Sequence, residues 1–352
     1  MNVARLTRRS VLAGVPILGA GALAVRASAT PGAQLAAAAP PTAHGGVGHA
    51  RAAGHSAASG HARFRGGEVD HAANGFDPHA VLRDFDRGAT RRLPSGRVLR
   101  EWTLVSGDQE VELAPGVRFP AWSYNGRVPG PTLRAREGER VRVTFVNGSD
   151  HPHTIHFHGL HAAVADGTHG AGAGVVAPGR RAVYEFDAEP FGLHLYHCHV
   201  TPLAEHIARG MYGAFIIDPR DERQEADELV MVMNGFDTNF DLSNEVYAVN
   251  TVGFAYMNEP IRVRRNELVR IYLVNVLEFD PINSMHVHAN FFQYFPTGTS
   301  LEPTEYTDTV MQCQGQRGVL ELRFPHTGKY MFHAHQSEFA QLGWMGFFEV
   351  TD

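Results

Sequence analysis

The chain has 352 residues, of which 43% are hydrophobic and 19% charged, with a formal charge of −6. That length can bury two cores of about 100 residues each, and the acidic balance offers no basic surface for nucleic acid. Two cysteines exclude a disulfide framework, and the use of Arg over Lys, with Lys329 the only lysine, carries no functional reading.

At the amino terminus, Thr7-Arg8-Arg9-Ser10-Val11-Leu12 is a twin-arginine pattern. A short, Gly-containing apolar stretch over residues 11–25 and a small-residue site ending Ala27-Ser28-Ala29 follow it. Residues 1–29 therefore read as a signal peptide for twin-arginine export, since the stretch is short for a membrane anchor. The expected location is extracellular, in the cell wall or periplasmic. Residues 30–95 shift to Ala, Gly, Pro and scattered histidines: His44, His49, His55, His61, His71 and His79. A largely disordered spacer is expected there, at least to about residue 75.

From residue 96 the pattern is all-β. Alternating runs over 140–146, 182–188, 268–274 and 319–324 are bounded by Gly, Pro or Asn, and long helical periods are absent. The predicted organisation is one domain over 96–222 and a second over 223–352, parted by the charged, aperiodic stretch 218–228.

The first domain holds an unusual set of side chains. In HTIHFHG, residues 153–159, His156 and His158 share one face of a strand and His153 takes the other. In LYHCHVTPLAEHIARGM, residues 195–211, His197 and His199 likewise project one way and Cys198 the other. Parity thus sorts two groups. His153, Cys198, His206 and Met211 combine two imidazoles, a thiolate and a thioether, the donor mix of a blue-copper site; structural zinc tends to use several cysteines. His156, His158, His197 and His199 form an all-imidazole group.

The second domain repeats the first. GRRAVYEF from Gly179 recurs as GQRGVLEL from Gly315, ERVRVTFVN from Glu139 as ELVRIYLVN from Glu267, and YHCH as FHAH. The HxH pairs recur as His286/His288 and His333/His335, but the mononuclear group does not. Ala334 replaces the cysteine, Asn283 maps onto His153, and Leu342 falls near the His206 position. Eight imidazoles suffice for three coppers, two with three ligands and one with two, which argues for oxygen chemistry.

These motifs, with NGRVPGPTL over 125–133, resemble the multicopper oxidases of the two-domain, laccase-like type, over about residues 97–352. The resemblance implies two tandem cupredoxin-like Greek-key β-sandwiches and four coppers per chain. Type 1 copper would be held by His153, Cys198, His206 and Met211; type 2 by His156 and His286; and the type 3 pair by His158, His197, His199, His288, His333 and His335. It further implies a homotrimer with trinuclear clusters between subunits. The reaction implied is oxidation of a phenol-like or metal-ion donor coupled to four-electron reduction of dioxygen to water. Asp166 matches a carboxylate that relays protons in related proteins, and Asp280 is a second candidate, although both also read as turn residues. A copper nitrite reductase shares the trimeric design, but carries an aspartate where this chain has His156 and needs three imidazoles at one catalytic copper. A cuprous or ferrous oxidase is another reading, and a non-catalytic copper or electron-transfer protein would leave the four HxH pairs unexplained. Cys313 is expected to be a buried inert thiol, and His151, His161, His169, His194 and His326 non-ligands.

Overall fold

A computed structural model describes residues 68–352; the expected signal peptide and the spacer up to residue 67 lie outside the described residues. In chain order the first half contributes β1 (Phe85–Asp86), β2 (Ala89–Arg92), β3 (Val98–Ala114), β4 (Val117–Tyr124), β5 (Thr132–Arg136), β6 (Arg140–Asn147), β7 (His156–Phe157), β8 (Arg181–Asp187), β9 (Gly192–His197) and β10 (Tyr212–Asp218). One sheet runs β1-β5-β10-β9-β7 and the other β2-β3-β6-β8, with β4 on β3. The alternation that marks a half-buried strand is plain in β6, where Val141, Val143 and Phe145 are buried and Arg140 and Arg142 are not.

The second half contributes β11 (Asp227–Phe236), β12 (Val246–Val249), β13 (Ile261–Arg264), β14 (Val269–Asn275), β15 (Ile282–Val287), β16 (Phe292–Pro296), β17 (Glu305–Thr307), β18 (Thr309–Cys313), β19 (Arg317–Leu322), β20 (Gly328–His333) and β21 (Met345–Thr351). Its sheets run β12-β11-β14-β19-β16-β17 and β13-β21-β20-β15-β18. Both halves are cupredoxin-like sandwiches, and the repeat in sequence is a repeat in topology. The pair β3·β6 is parallel like β11·β14, and β10·β9 is antiparallel like β21·β20. Even the register repeats: His156 lies opposite His197, and His286 opposite His333.

Three cores result. One fills the first sandwich around Tyr124, Phe145, Tyr196 and Cys198, and one fills the second around Ile271, Met285, Phe332 and Trp344. The third joins the sandwiches through Leu193, Leu195, Ile216, Val230, Val274 and Phe295. β9 is buried along its whole length because both of its faces are covered. At the crossing from β10 to β11, Arg134 of the first sandwich bonds Asp218 at 2.7 Å and also pairs with Glu228. Arg270 of the second bonds the same Glu228 at 3.1 Å and Glu321 at 2.6 Å.

The helices are short: α1 (His71–Asn74), α2 (Pro78–Val81), α3 (Leu203–Ala208), α4 (Ala255–Asn258) and α5 (Ser337–Gln341). The first two correct part of the expected spacer over 30–95. From residue 68 onward the chain is an arm packed on both sandwiches, because it carries apolar residues that a Gly/Ala/His composition obscures. Phe76 and Val81 enter the joining core, Leu82 enters the second core, β1 pairs with β5, and β2 pairs with β3.

Candidate metal centres

Inside the first sandwich, His153 Nδ1 lies 3.7 Å from Cys198 Sγ, His206 Nδ1 lies 3.2 Å from the same sulfur, and the two Nδ1 atoms are 3.2 Å apart. His153 arrives on the loop after β6, Cys198 just past β9, and His206 on α3, all three buried. Met211 is fully buried in the same core, and its carbonyl accepts the Cys198 N–H at 2.9 Å. Burial pushes His153 down to about 3, with the His206 ring adding to the effect, and His206 down to about 4. It pushes the Cys198 thiol up, against a hydrogen bond from the Thr154 N–H. Neutral imidazoles and a desolvated thiol converging this closely form a soft donor set, and the residues fit copper.

On the outer face of the same strands, the His156 ring is 5.1 Å from His158, 5.4 Å from His197 and 5.4 Å from His199, centre to centre. His158 Nε2 and His197 Nε2 approach to 2.9 Å. His197 Nδ1 donates to the Cys198 carbonyl at 2.7 Å, which leaves the lone pair on Nε2. Burial pushes His158 to about 3 and His197 to about 4.

The second sandwich reproduces this group. His286 is 5.1, 5.4 and 5.6 Å from His288, His333 and His335, His288 Nε2 is 3.0 Å from His333 Nε2, and His333 Nδ1 donates to the Ala334 carbonyl at 2.7 Å. Here, however, His288 and His335 are exposed. Among the described residues, no close group of candidate ligands combines histidines of the two sandwiches. A cavity of about 300 Å3 lies against the first group, lined also by Tyr212, Val276 and Gln314.

The two candidate carboxylates part company. Asp166 Oδ1 is 2.8 Å from His156 Nδ1 and 3.7 Å from His161 Nε2, while Thr168 donates to its Oδ2 at 2.8 Å. Burial raises this carboxyl, but the Thr168 bond and the His156 and His161 charges outweigh it and the net shift is downward. Gly167 makes the turn possible: at φ +69°, a Cβ there would meet the Ile155 carbonyl at 2.1 Å. Asp280 instead accepts from Asn244 and the Tyr247 hydroxyl, each at 2.9 Å, away from the histidines. The counterpart of Asp166 is Asp308, whose carbonyl is 2.9 Å and carboxylate 3.9 Å from His286 Nδ1. A fixed offset from the HxH pair misses it because the loop is longer. The available signal is the threonine that follows each carboxylate closely, Thr168 and Thr309.

His161, expected as a non-ligand, has a buried ring beside Asp166 and His156, and its Nε2 is buried without a hydrogen bond. Two further expectations change. Cys313 is exposed, because β18 turns Val310 and Gln312 inward and Met311 and Cys313 outward. The residue at the His206 position is Phe339, not Leu342: Met211 N–H bonds the His206 carbonyl as Trp344 N–H bonds that of Phe339. Met211 therefore corresponds to Trp344.

Models of the multicopper oxidase family match residues 107–222 and 224–352. A solved multicopper oxidase is 62% identical over 81% of this chain and 100% of its own, with a TM-score of 0.80. A blue copper oxidase from Nitrosomonas europaea is 28% identical over 72% of this chain and 86% of its own, with a TM-score of 0.64. Among curated relatives, the copper-containing nitrite reductase of Neisseria gonorrhoeae is 30% identical over 65% of this chain, which spans 62% of that relative's length.

Proposed function

The chain belongs to the multicopper oxidase family, and on that premise we propose that it is a laccase-type enzyme. It would couple one-electron oxidation of a phenol-like donor to four-electron reduction of dioxygen to water, as an exported homotrimer. One observation carries the reading: a single chain holds a His2Cys group and two matched four-imidazole groups, more ligands than a reductase with one catalytic copper requires. Copper, four ions per chain, would supply one-electron redox chemistry at the first group and oxygen reduction at the imidazoles.

The chain's own residues provide the rest. Cys198 is bonded directly to His197 and His199, and the His197 hydrogen bond to the Cys198 carbonyl shortens the route further. Asp166 and Asp308 stand at the Nδ1 atoms of His156 and His286, where a carboxylate can hold or pass on a proton. A trimer is supported by the exposure of the second group and by the exposed Phe291 and Tyr306, whose tilted rings lie 5.3 Å apart. In a closed ring, each second group would meet a neighbour's first group.

An organic donor is supported by a cavity of about 340 Å3 on the outer side of α3, lined by Phe119, Pro202, Phe240, Leu242 and Phe279. Arg209 bridges this cavity to the buried site, its guanidinium 4.8 Å from the Phe240 ring and 5.1 Å from Trp122. The Trp122 ring is 4.8 Å from that of His206. Glu205 and Asp237 also line it, but the wall is mostly apolar, which suits an aromatic ring. Nitrite reduction is the second reading, favoured by the curated relatives.

The deciding experiment is oxygen uptake by copper-reconstituted protein with a phenolic donor, assaying peroxide and, in a parallel anaerobic vessel, nitrite loss. Four donors oxidised per oxygen without peroxide is the expected result. Nitrite consumption without oxygen uptake would replace the oxidase with a reductase.

A further inference from the structure

A hydrogen-bond chain runs from the surface to His153 and is not used by the ligand groups themselves. Ser149 Oγ lies 3.0 Å from His153 Nε2, 2.9 Å from Asp108 Oδ1 and 3.1 Å from the His151 backbone nitrogen. A serine hydroxyl has one proton and two lone pairs. The His151 N–H can only donate and the Asp108 carboxylate accepts, so the hydroxyl proton goes to Asp108. The remaining lone pair must then take a proton from His153 Nε2. His153 is thereby held as the Nε2–H tautomer, with its bare Nδ1 turned toward Cys198 and His206. Asp108 is itself held, its Oδ2 accepting the Asp150 N–H at 3.0 Å.

The second sandwich is an internal control. Asn147 Oδ1 accepts the Ser149 N–H at 3.0 Å, and Asn275 Oδ1 accepts the Leu277 N–H at 3.1 Å, so Leu277 occupies the place of Ser149. Ser106 pairs with Asn147 as Met233 pairs with Asn275, which sets Asp108 and Gly235, two residues further along each strand, at equivalent positions. A Cβ on Gly235 would approach Leu277 Cδ1 to 2.3 Å. Where His153 has become Asn283, the hydroxyl and carboxylate have become a leucine packed on a glycine.

We propose that Ser149 and Asp108 are positioning residues of the mononuclear centre. They fix the tautomer and ring plane of His153 and, by drawing on its Nε2–H, raise the basicity of Nδ1, which favours oxidised copper and lowers the potential of the centre. The inference rests on the reading of His153 as a copper ligand.

The test uses the full, copper-loaded protein and its Ser149→Ala, Asp108→Asn and Ser149→Thr variants. It reads the potential of the blue band by redox titration, and copper retention against a chelator. Ser149→Ala is expected to raise the potential and weaken retention about tenfold. Asp108→Asn should move both the same way by less, and Ser149→Thr, which keeps the hydroxyl, should return both to wild type. A lower melting temperature with unchanged potential and retention would reduce the pair to a packing role and overturn the proposal. A wild-type protein with bound copper but no blue band would instead overturn the ligand reading, and the proposal with it.

Discussion

The two sandwiches share topology, strand register and a four-imidazole group, yet only the first keeps a donor set in its interior. His153, Cys198, His206 and Met211 there correspond to Asn283, Ala334, Phe339 and Trp344 in the second, where Trp344 is wholly buried and Phe339 stacks 4.1 Å from Tyr247. The shared histidines lie on faces that leave the sandwich, whereas the unshared donors point into its core. A core position can return to plain packing, since a tryptophan fills space and excludes water by itself. The outward histidines are needed as a set, and repacking cannot replace them. The four-imidazole group accordingly keeps its form with or without the interior donors, its ring separations in the second copy lying within a few tenths of an ångström of the first.

The comparison can be pressed hardest by making the first sandwich copy the second. Cys198→Ala introduces the Ala334 arrangement and is expected to abolish the blue band and drop donor-driven oxygen uptake to background. Copper bound at the imidazoles should remain by metal analysis; activity surviving this change would separate donor oxidation from the Cys198 site. Next in size, His158→Ala and His288→Ala should each lose oxygen reduction but keep the blue band. If clusters form between neighbours, equal mixing of the two variants with subunit exchange should restore roughly a quarter of wild-type uptake. No recovery after demonstrated exchange would count against shared clusters.

A third change weakens the junction that makes the two sandwiches one unit. Glu228→Gln leaves Arg134 and Arg270 short of a buried partner and should cost about 3 kcal/mol at neutral pH by chemical denaturation. Burial raises the Glu228 carboxyl, but the Arg134 hydrogen bond and charge outweigh it and hold the value below 4.5. A depressed folded value means that its contribution is fully present above about 4.5 and is lost as pH falls through the folded value. The stability gap between wild type and Glu228→Gln should accordingly narrow only below about pH 4.5; a gap constant into acid would mean that the pair is not ionic. The smallest effect is expected from Phe240→Ala, which opens the cavity proposed for the donor. It should raise KM for a phenol about fivefold with little change in kcat, corresponding to about 1 kcal/mol of lost apolar contact, while an inorganic donor should show no change.

Much of this was legible because the informative signals are periodic. Strand parity separated His153 and Cys198 from the HxH pairs, and repetition identified the second group without any knowledge of the fold. Signals that depend on loop length were not legible. Phe339 and Asp308 sit after segments whose lengths differ between copies, so a constant offset pointed to Leu342 and found no carboxylate in the place of Asp308, and Asp280, which precedes its HxH pair, became the candidate instead. Residues 76–92 were hidden by composition: three apolar side chains, Phe76, Val81 and Leu82, outweigh the polar residues around them. The exposure of Cys313 follows from which edge of β18 faces outward, and alternation alone gives the period but not the phase.

The arm places an unusual demand on the order of events. Leu82 buries its side chain among residues that begin at Leu229, and its carbonyl accepts the Val230 N–H at 2.9 Å. During synthesis from the amino terminus, this segment emerges long before its partners exist. The early-made strand β1 can pair within the first sandwich, but Leu82 must wait for the far half of the chain. Burial of this leucine thus reports that the second sandwich has been made, so a segment translated early is one of the last to settle.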